Sequence, residues 1–291
     1  MNIEGLSMPA QPHSEDADAN KFFMTVPVFG PIRLAPNLNR QMQRALKSHT
    51  SGRDYFTEIS LQSMRHSAGM QVEYTVTAQS PQGARAAGAV YMSQLCDLIS
   101  VVTRSPVWFY LPEDDSSSDL PRSKNHTTTV DRVLTEPEWS WITGNLVYLR
   151  REHPRFLAAA SWYRKGLIGR DSLDDLCCYW RAIERIAYSY ADKSSWSEED
   201  RKKSQVRRCV EQLAIDIFRK LPRPTALEPD HVQRIVKLRN DISHGNVAIT
   251  VELIDAASEY LDELENAAYA VLAHLREKVL TTNFPINANA N

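Results

Sequence analysis

The sequence predicts an α+β N-terminal domain followed by an all-α up-and-down helical bundle, on three observations. Period-two alternation of apolar and polar residues is confined to the chain before Pro112. After about Thr135 that signal gives way to apolar residues at helical spacing, punctuated by caps and short connections. Between the two lies "PEDDSSSDLPRSKNHTTT", Pro112 to Thr129, a polar stretch of the kind that separates domains. The boundaries therefore read as a disordered leader over 1–20, an α+β domain with a sensor or partner-binding role over 21–111, a polar linker or loop over 112–135, the helical bundle over 136–282 and a flexible tail over 283–291.

In the front domain "YFTEISL" and "MQVEYTVTA" read as paired strands, with Val72, Tyr74 and Val76 on one face and Glu73, Thr75 and Thr77 on the other. "ARAAGAVYMSQLCDLISVVTRSP" switches to helical period, with Ala87, Val90, Tyr91, Leu98, Ile99 and Val102 on one stripe, and "VWFYL" returns as a strand. Five helices follow. "PRFLAAASWYRKGLIG" is the first; "SLDDLCCYWRAIERIAYSYA" opens on a capping-box pattern, Ser172 with Asp175. "SEEDRKKSQVRRCVEQLAIDIFRK" repeats that device with Ser197 and Asp200. The fourth starts at Pro229, favoured in a first helical turn, and stops at Gly245. The fifth is long and amphipathic, from about Thr250 to Leu280.

Composition narrows the function classes. With 43% hydrophobic and 24% charged residues in 291, the chain can bury its cores without staples. Its cysteines, Cys96, Cys177, Cys178 and Cys209, have neither zinc-ligand nor disulfide-framework spacing, which fits a reducing compartment. The first residues lack a basic start and an apolar segment, and no apolar run approaches the roughly 20 residues of a membrane span. The expectation is a soluble cytoplasmic protein.

A net charge of −2 argues against a whole-molecule polyanion binder, but the distribution is uneven. Arg201 to Arg239 holds eleven Lys/Arg against four acids, and Glu252, Asp255, Glu259, Asp262, Glu263 and Glu265 follow as an acidic run. Arg201, Lys202, Lys203, Arg207, Arg208 and Lys237 are the candidate RNA-binding residues; the bland alternative is two oppositely charged solvated helix faces. No Gly-rich phosphate loop, GxSxG or HExxH motif occurs, and His153, His231 and His274 lack metal-ligand spacing, so neither a metal nor a cofactor is expected.

The chemistry concentrates in "LRNDISHGN", Leu238 to Asn246. Val232, Ile235, Val236 and Ile242 define the apolar stripe of the fourth helix, and Arg239 falls on it. An arginine aimed at a core needs a partner, and Glu184, in the apolar sector of the second helix with Leu176, Trp180 and Ile183, is the economical choice. At ~100° per residue Arg239 and His244 differ by roughly 140°, whereas Asn240 and His244 share a face. One chain therefore holds an incomplete cluster unless the helix end unwinds; two chains across a two-fold axis complete it. Spacing alone discriminates little, since Arg44 and His49 in "RALKSH" repeat it. His244 also reads as a terminal histidine favoured by the helix dipole.

The context of that motif, preceded by "WYRKGLIGRDSLDDLCCYWRAIERIA", resembles the HEPN superfamily, specifically its Apea-like branch, over roughly residues 146 to 282. Arg239, Asn240 and His244 occupy the family's Arg, polar residue, then His pattern, and Trp180, Ala182 and Glu184 match the "LW.ALE" helix of that branch. The resemblance implies a HEPN-like bundle and metal-independent RNA cleavage in a homodimer, with Arg239, Asn240 and His244 catalytic and Glu184 supporting. Residue chemistry agrees. Imidazole, with an unperturbed pKa of about 6.5, can take a proton from a ribose 2′-hydroxyl or give one to the leaving 5′-oxygen. Guanidinium is permanently charged and forks onto phosphate oxygens. The tyrosine that a toxin branch carries two places after the histidine is Asn246 here, which puts control by adenylylation in doubt. Further expectations are an activator or regulatory protein partner, no membrane, and, as the rival reading, a non-catalytic HEPN scaffold binding nucleotide or protein.

Overall fold

The computed structural model describes residues 20–39, 42–44, 55–64, 68–111, 132–169, 171–199 and 206–280. The leader up to residue 19, the polar segment 112–131, the tail from 281, and Arg201, Lys202 and Lys203 lie outside them. So does Asp200, and with it the expected capping pair of Ser197.

The N-terminal region is an antiparallel sheet under one long helix. Strands β1 (Asn20–Phe29), β3 (Met42–Arg44), β4 (Tyr55–Ser63), β5 (Gly69–Ala78) and β6 (Trp108–Phe109) form a sheet in the order β3-β4-β5-β1-β6. Strand β2 (Ile32–Leu34) pairs in parallel with β7 (Arg132–Leu134), at the end of the expected linker. The alternation of β4 and β5 is legible, and Val72, Tyr74 and Val76 are all buried on one face. Strand β1, which runs the whole length of β5 from Asn20↔Ala78 to Phe29↔Gly69, has no sequence-based expectation behind it. Its Phe22-Phe23 doublet spoils the alternation and Pro27 argues against an inner strand. Asn20, expected in the leader, already belongs to it.

Helix α1 (Pro81–Thr103) starts where the Ser80 hydroxyl accepts the Gly83 N–H, 3.0 Å. One side covers the sheet; its C-terminal half, Leu95 to Thr103, is buried all round because helices of the C-terminal region pack on its other side. Val90, expected on its apolar stripe, is exposed; Ala84, Gly88, Tyr91, Met92 and Leu95 carry that face. Among the described residues α1 alone has the length and apolar content of a membrane span, and most of it is buried inside the fold.

The C-terminal region is mostly helical: α2 (Glu136–Glu152), α3 (Pro154–Ile168), α4 (Ser172–Tyr190), α5 (Val206–Phe218), α6 (Pro229–His244), α7 (Val251–Ser258) and α8 (Leu261–His274), ending in a π-helical turn, Leu275–Val279. Three details depart from expectation. Helix α2 is additional, and it is α2 that carries a complete capping box, Thr135 with Glu138. Helix α4 is capped one residue earlier than expected, by Asp171, whose carboxylate accepts the N–H groups of Leu173 (2.9 Å) and Asp174 (3.2 Å). The long fifth helix is two, broken at Glu259 and Tyr260, where the Tyr260 N–H turns to the Ala257 carbonyl. Helix α4 is the hub: it packs on α3, α5, α6, α7 and α8, with Trp180 fully buried. Its close approach to α3 needs Gly166, since a Cβ there would sit 2.6 Å from the Tyr179 ring. One apolar core runs through both regions.

Candidate functional site

The site is built on the seam between α4 and α6. Apolar residues at helical spacing, Val232 and Ile235 fully buried with Val236 and Ile242 partly so, lay α6 against the core. The helices run antiparallel, since Ser243 near the end of α6 meets Cys177 near the start of α4 (Oγ to Sγ 3.6 Å), while Arg239 meets Glu184 further along. Register thus carries Arg239 inward. Its Nη2 donates to Glu184 Oε2 at 3.3 Å and its Nη1 to Asn240 Oδ1 at 2.9 Å. Its Nε is buried and has no hydrogen-bond partner among the described residues.

Glu184 is itself held. Its other oxygen, Oε1, accepts the indole N–H of Trp180 at 2.8 Å, one turn earlier on α4. The two charged side chains retain 22% (Arg239) and 12% (Glu184) exposure, so the pair is sheltered without being sealed. Trp180 as the brace of Glu184 is a link that sequence reading missed; the i,i+4 spacing of an indole donor and a carboxylate was the available signal. Burial pushes the Cys177 thiol up, with the Ser243 hydroxyl and then the Arg181 and Arg239 guanidiniums pulling the other way.

His244 is placed differently. It is the last residue of α6 and exposed, and the chain reverses immediately behind it. Gly245 takes the left-handed conformation (φ 62°), with its N–H on the Ile242 carbonyl (3.2 Å) and the Asn246 N–H on the Asp241 carbonyl (3.1 Å). Because α6 is helical through His244, the imidazole and the Arg239 guanidinium stay on different faces of one chain. Directly after His244 comes a row of exposed apolar side chains, Val247, Ile249, Val251 and Ile254, of which Ile249 is the barest at 74%.

Of the candidate RNA-binding cations, Lys237 is exposed on α6. Arg207 is paired with Glu211 one turn along α5, 2.6 Å, and Arg208 lies over the Trp196 ring, 4.5 Å. Among the described residues no group of three or more His, Cys, Asp or Glu is arranged to hold a metal, and the four cysteines are free.

Residues 186–282 match the model of a family described as HEPN_MAE_28990-like HEPN. The match spans the end of α4 and all of α5 to α8, and so includes Arg239, Asn240 and His244. The branch it names differs from the Apea-like one; the superfamily is common to both. Searches of the curated proteins and of the solved structures found no match. The matched stretch includes the Arg-Asn-x-x-x-His end of α6 but begins after Trp180 and Glu184, and over those residues, 186–282, the C-terminal region of this chain is assigned to the HEPN superfamily.

Proposed function

We propose that the protein is a metal-independent endoribonuclease of bacterial antiviral or stress defence, acting in the cytoplasm as a homodimer. Two copies of α6 meet end to end, and each contributes Arg239, Asn240 and His244 to a shared site. One His244 takes the proton of a ribose 2′-hydroxyl as that oxygen attacks the adjacent phosphorus. The Arg239 guanidiniums neutralise the extra charge of the phosphorane-like transition state, and the second imidazole gives a proton to the departing 5′-oxygen. The products are a 2′,3′-cyclic phosphate and a 5′-hydroxyl.

The observation that carries this reading is the placement of His244: exposed at a helix end and followed by four exposed apolar side chains, a surface suited to meeting a second copy. The salt bridge of Arg239 with Glu184 favours the alternative, a non-catalytic scaffold, because a guanidinium committed to a carboxylate is less available to phosphate. One experiment separates them. Purified protein and its His244→Ala variant are incubated with mixed RNAs in the presence of a chelator. Cleavage by the parent, loss in the variant and resistance of DNA are the expected results; a parent that stays inactive at dimer-forming concentrations, or a variant as active as the parent, refutes the enzyme.

A further inference from the structure

Where α3 meets α4, one tryptophan ring carries two cations against it. The ammonium of Lys165 is 4.3 Å from the centroid of the Trp162 ring and the guanidinium carbon of Arg181 is 4.7 Å from it. The ring's negative face attracts each cation, but the two repel one another. Among the described residues neither forms a salt bridge, and nor does Arg185 on the next turn of α4. The carboxylate that feels Lys165 electrostatically, Asp97, is buried against Arg164. These cations are thus free of a direct carboxylate contact, unlike Arg207, whose partner is Glu211, although Asp174 and Asp175 lie nearby on α4.

The cluster adjoins the site. Around α4, at ~100° per residue, Arg181 is about 40° from Cys177 and Arg185 about 40° further. Cys177 touches Ser243, the residue before His244, and both Arg181 and Arg239 act on its sulfur. Arg181 thus links the neighbourhood of the α6 end to Trp162 across α4, with Asp174 also facing Cys177.

We infer, resting on the ribonuclease reading, that Trp162, Lys165 and Arg181 form a subsite for a backbone phosphate of single-stranded RNA, beside the phosphodiester held at Arg239 and His244. Arg181 supplies a planar fork matched to phosphate oxygens and Lys165 a mobile point charge. Trp162 is a positioning residue that holds the two cations at one spacing. The subsite reads charge, so it does not distinguish ribose from deoxyribose.

The test uses full-length His244→Ala protein, to separate binding from cleavage, and a labelled single-stranded oligoribonucleotide in anisotropy titrations at several salt concentrations. Each neutralised phosphate of a single strand adds about 0.7 to the slope of log affinity against log salt. The Lys165→Gln/Arg181→Gln variant is expected to flatten that slope by about 0.7, and equally on single-stranded DNA. Arg181→Lys, which keeps the charge, retains the slope, while Trp162→Ala flattens it with both cations still present. Undiminished slopes in the double variant, with binding intact, overturn the subsite and leave the ribonuclease reading standing. A His244→Ala protein that binds no single-stranded nucleic acid, from a parent that cleaves none, overturns both.

Discussion

At the residue scale the site is a relay of three side chains, Trp180 to Glu184 to Arg239, and its energetics are asymmetric. Glu184→Ala leaves a buried indole N–H without an acceptor and the sheltered Arg239 guanidinium with Asn240 alone, and is expected to lower stability by about 1–3 kcal/mol in urea unfolding. Glu184→Gln keeps an oxygen for Trp180 and should lose less; equal losses for the two would remove the indole from the account. A second residue-scale prediction concerns acid. The ring nitrogens of His153 lie 3.1 Å from the Tyr148 hydroxyl and 3.0 Å from that of Tyr190, and desolvation by burial lowers its pKa from the ordinary 6.5, against the field of Glu152. The His274 pKa is lowered for the same first reason. The unfolded chain then binds these protons more readily than the fold does. Their contribution is complete above about pH 6.5 and declines on acidification below it. The midpoint of thermal unfolding should fall between about pH 6.5 and about pH 5, less so in a His153→Asn/His274→Asn variant; parallel curves would contradict it. Sequence periodicity sufficed to turn Arg239 inward and name Glu184, because both sit on apolar stripes. Trp180 registered as a core residue and as part of the family pattern but not as a donor to Glu184, since periodicity does not set where an indole N–H points.

At the element scale the end of α6 decides where His244 stands. A side chain at Gly245 meets no atom within 4 Å, so its cost is purely conformational, that of a left-handed backbone. Gly245→Ala is expected to destabilise by about 1 kcal/mol and Gly245→Asn by less, in chemical denaturation. A loss near zero would mean that the helix end rearranges freely. This terminus was fully legible: Pro229 to open and glycine to close are backbone chemistry written in single residues. Other boundaries were less so. The long final helix reads as continuous because its apolar pattern does not falter across Ser258 to Leu261, whereas the break coincides with a tertiary contact, Tyr260 edge-on to His231 with centroids 5.9 Å apart. Helix α2 is hidden for the opposite reason: Thr135 and Glu138 announce it, but its charged and aromatic residues give a weak stripe.

At the scale of the whole molecule the sheet and the bundle share α1, and a buried ion pair fastens the junction. Arg164 of α3 reaches Asp97 of α1, and also the Val107 carbonyl (3.3 Å) and the Ser93 hydroxyl (3.2 Å). Burial pushes the Asp97 carboxyl up from its ordinary range, and the Arg164 guanidinium beside it offsets only part of that rise. With Arg164 and Asp97 only 7% and 2% exposed, Asp97→Asn leaves a guanidinium charge buried and is expected to cost about 3–5 kcal/mol. The paired replacement Asp97→Leu/Arg164→Met should recover much of that loss, and calorimetry of the native protein should show a single transition. Two separated transitions, or a double variant no better than the single, would mean that the regions fold independently. Sequence alone pointed to two domains because strand and helix patterns change across the polar stretch. The continuity of the core depends on which side chains α1 buries on its second side, and periodicity is silent on that.

The pairing of the two shortest strands has a consequence for the covalent chain. Before Pro112 the backbone is tied by β6 to Val28 and Phe29 of β1, and after Asp131 it is tied by β7 to Ile32, Arg33 and Leu34 of β2. Both edges of the intervening span are thus moored to neighbouring positions of the front region. A protease site engineered into that span and cut would yield two polypeptides, one carrying α1 and the other the Arg239 and His244 helix, that should still travel together through a sizing column.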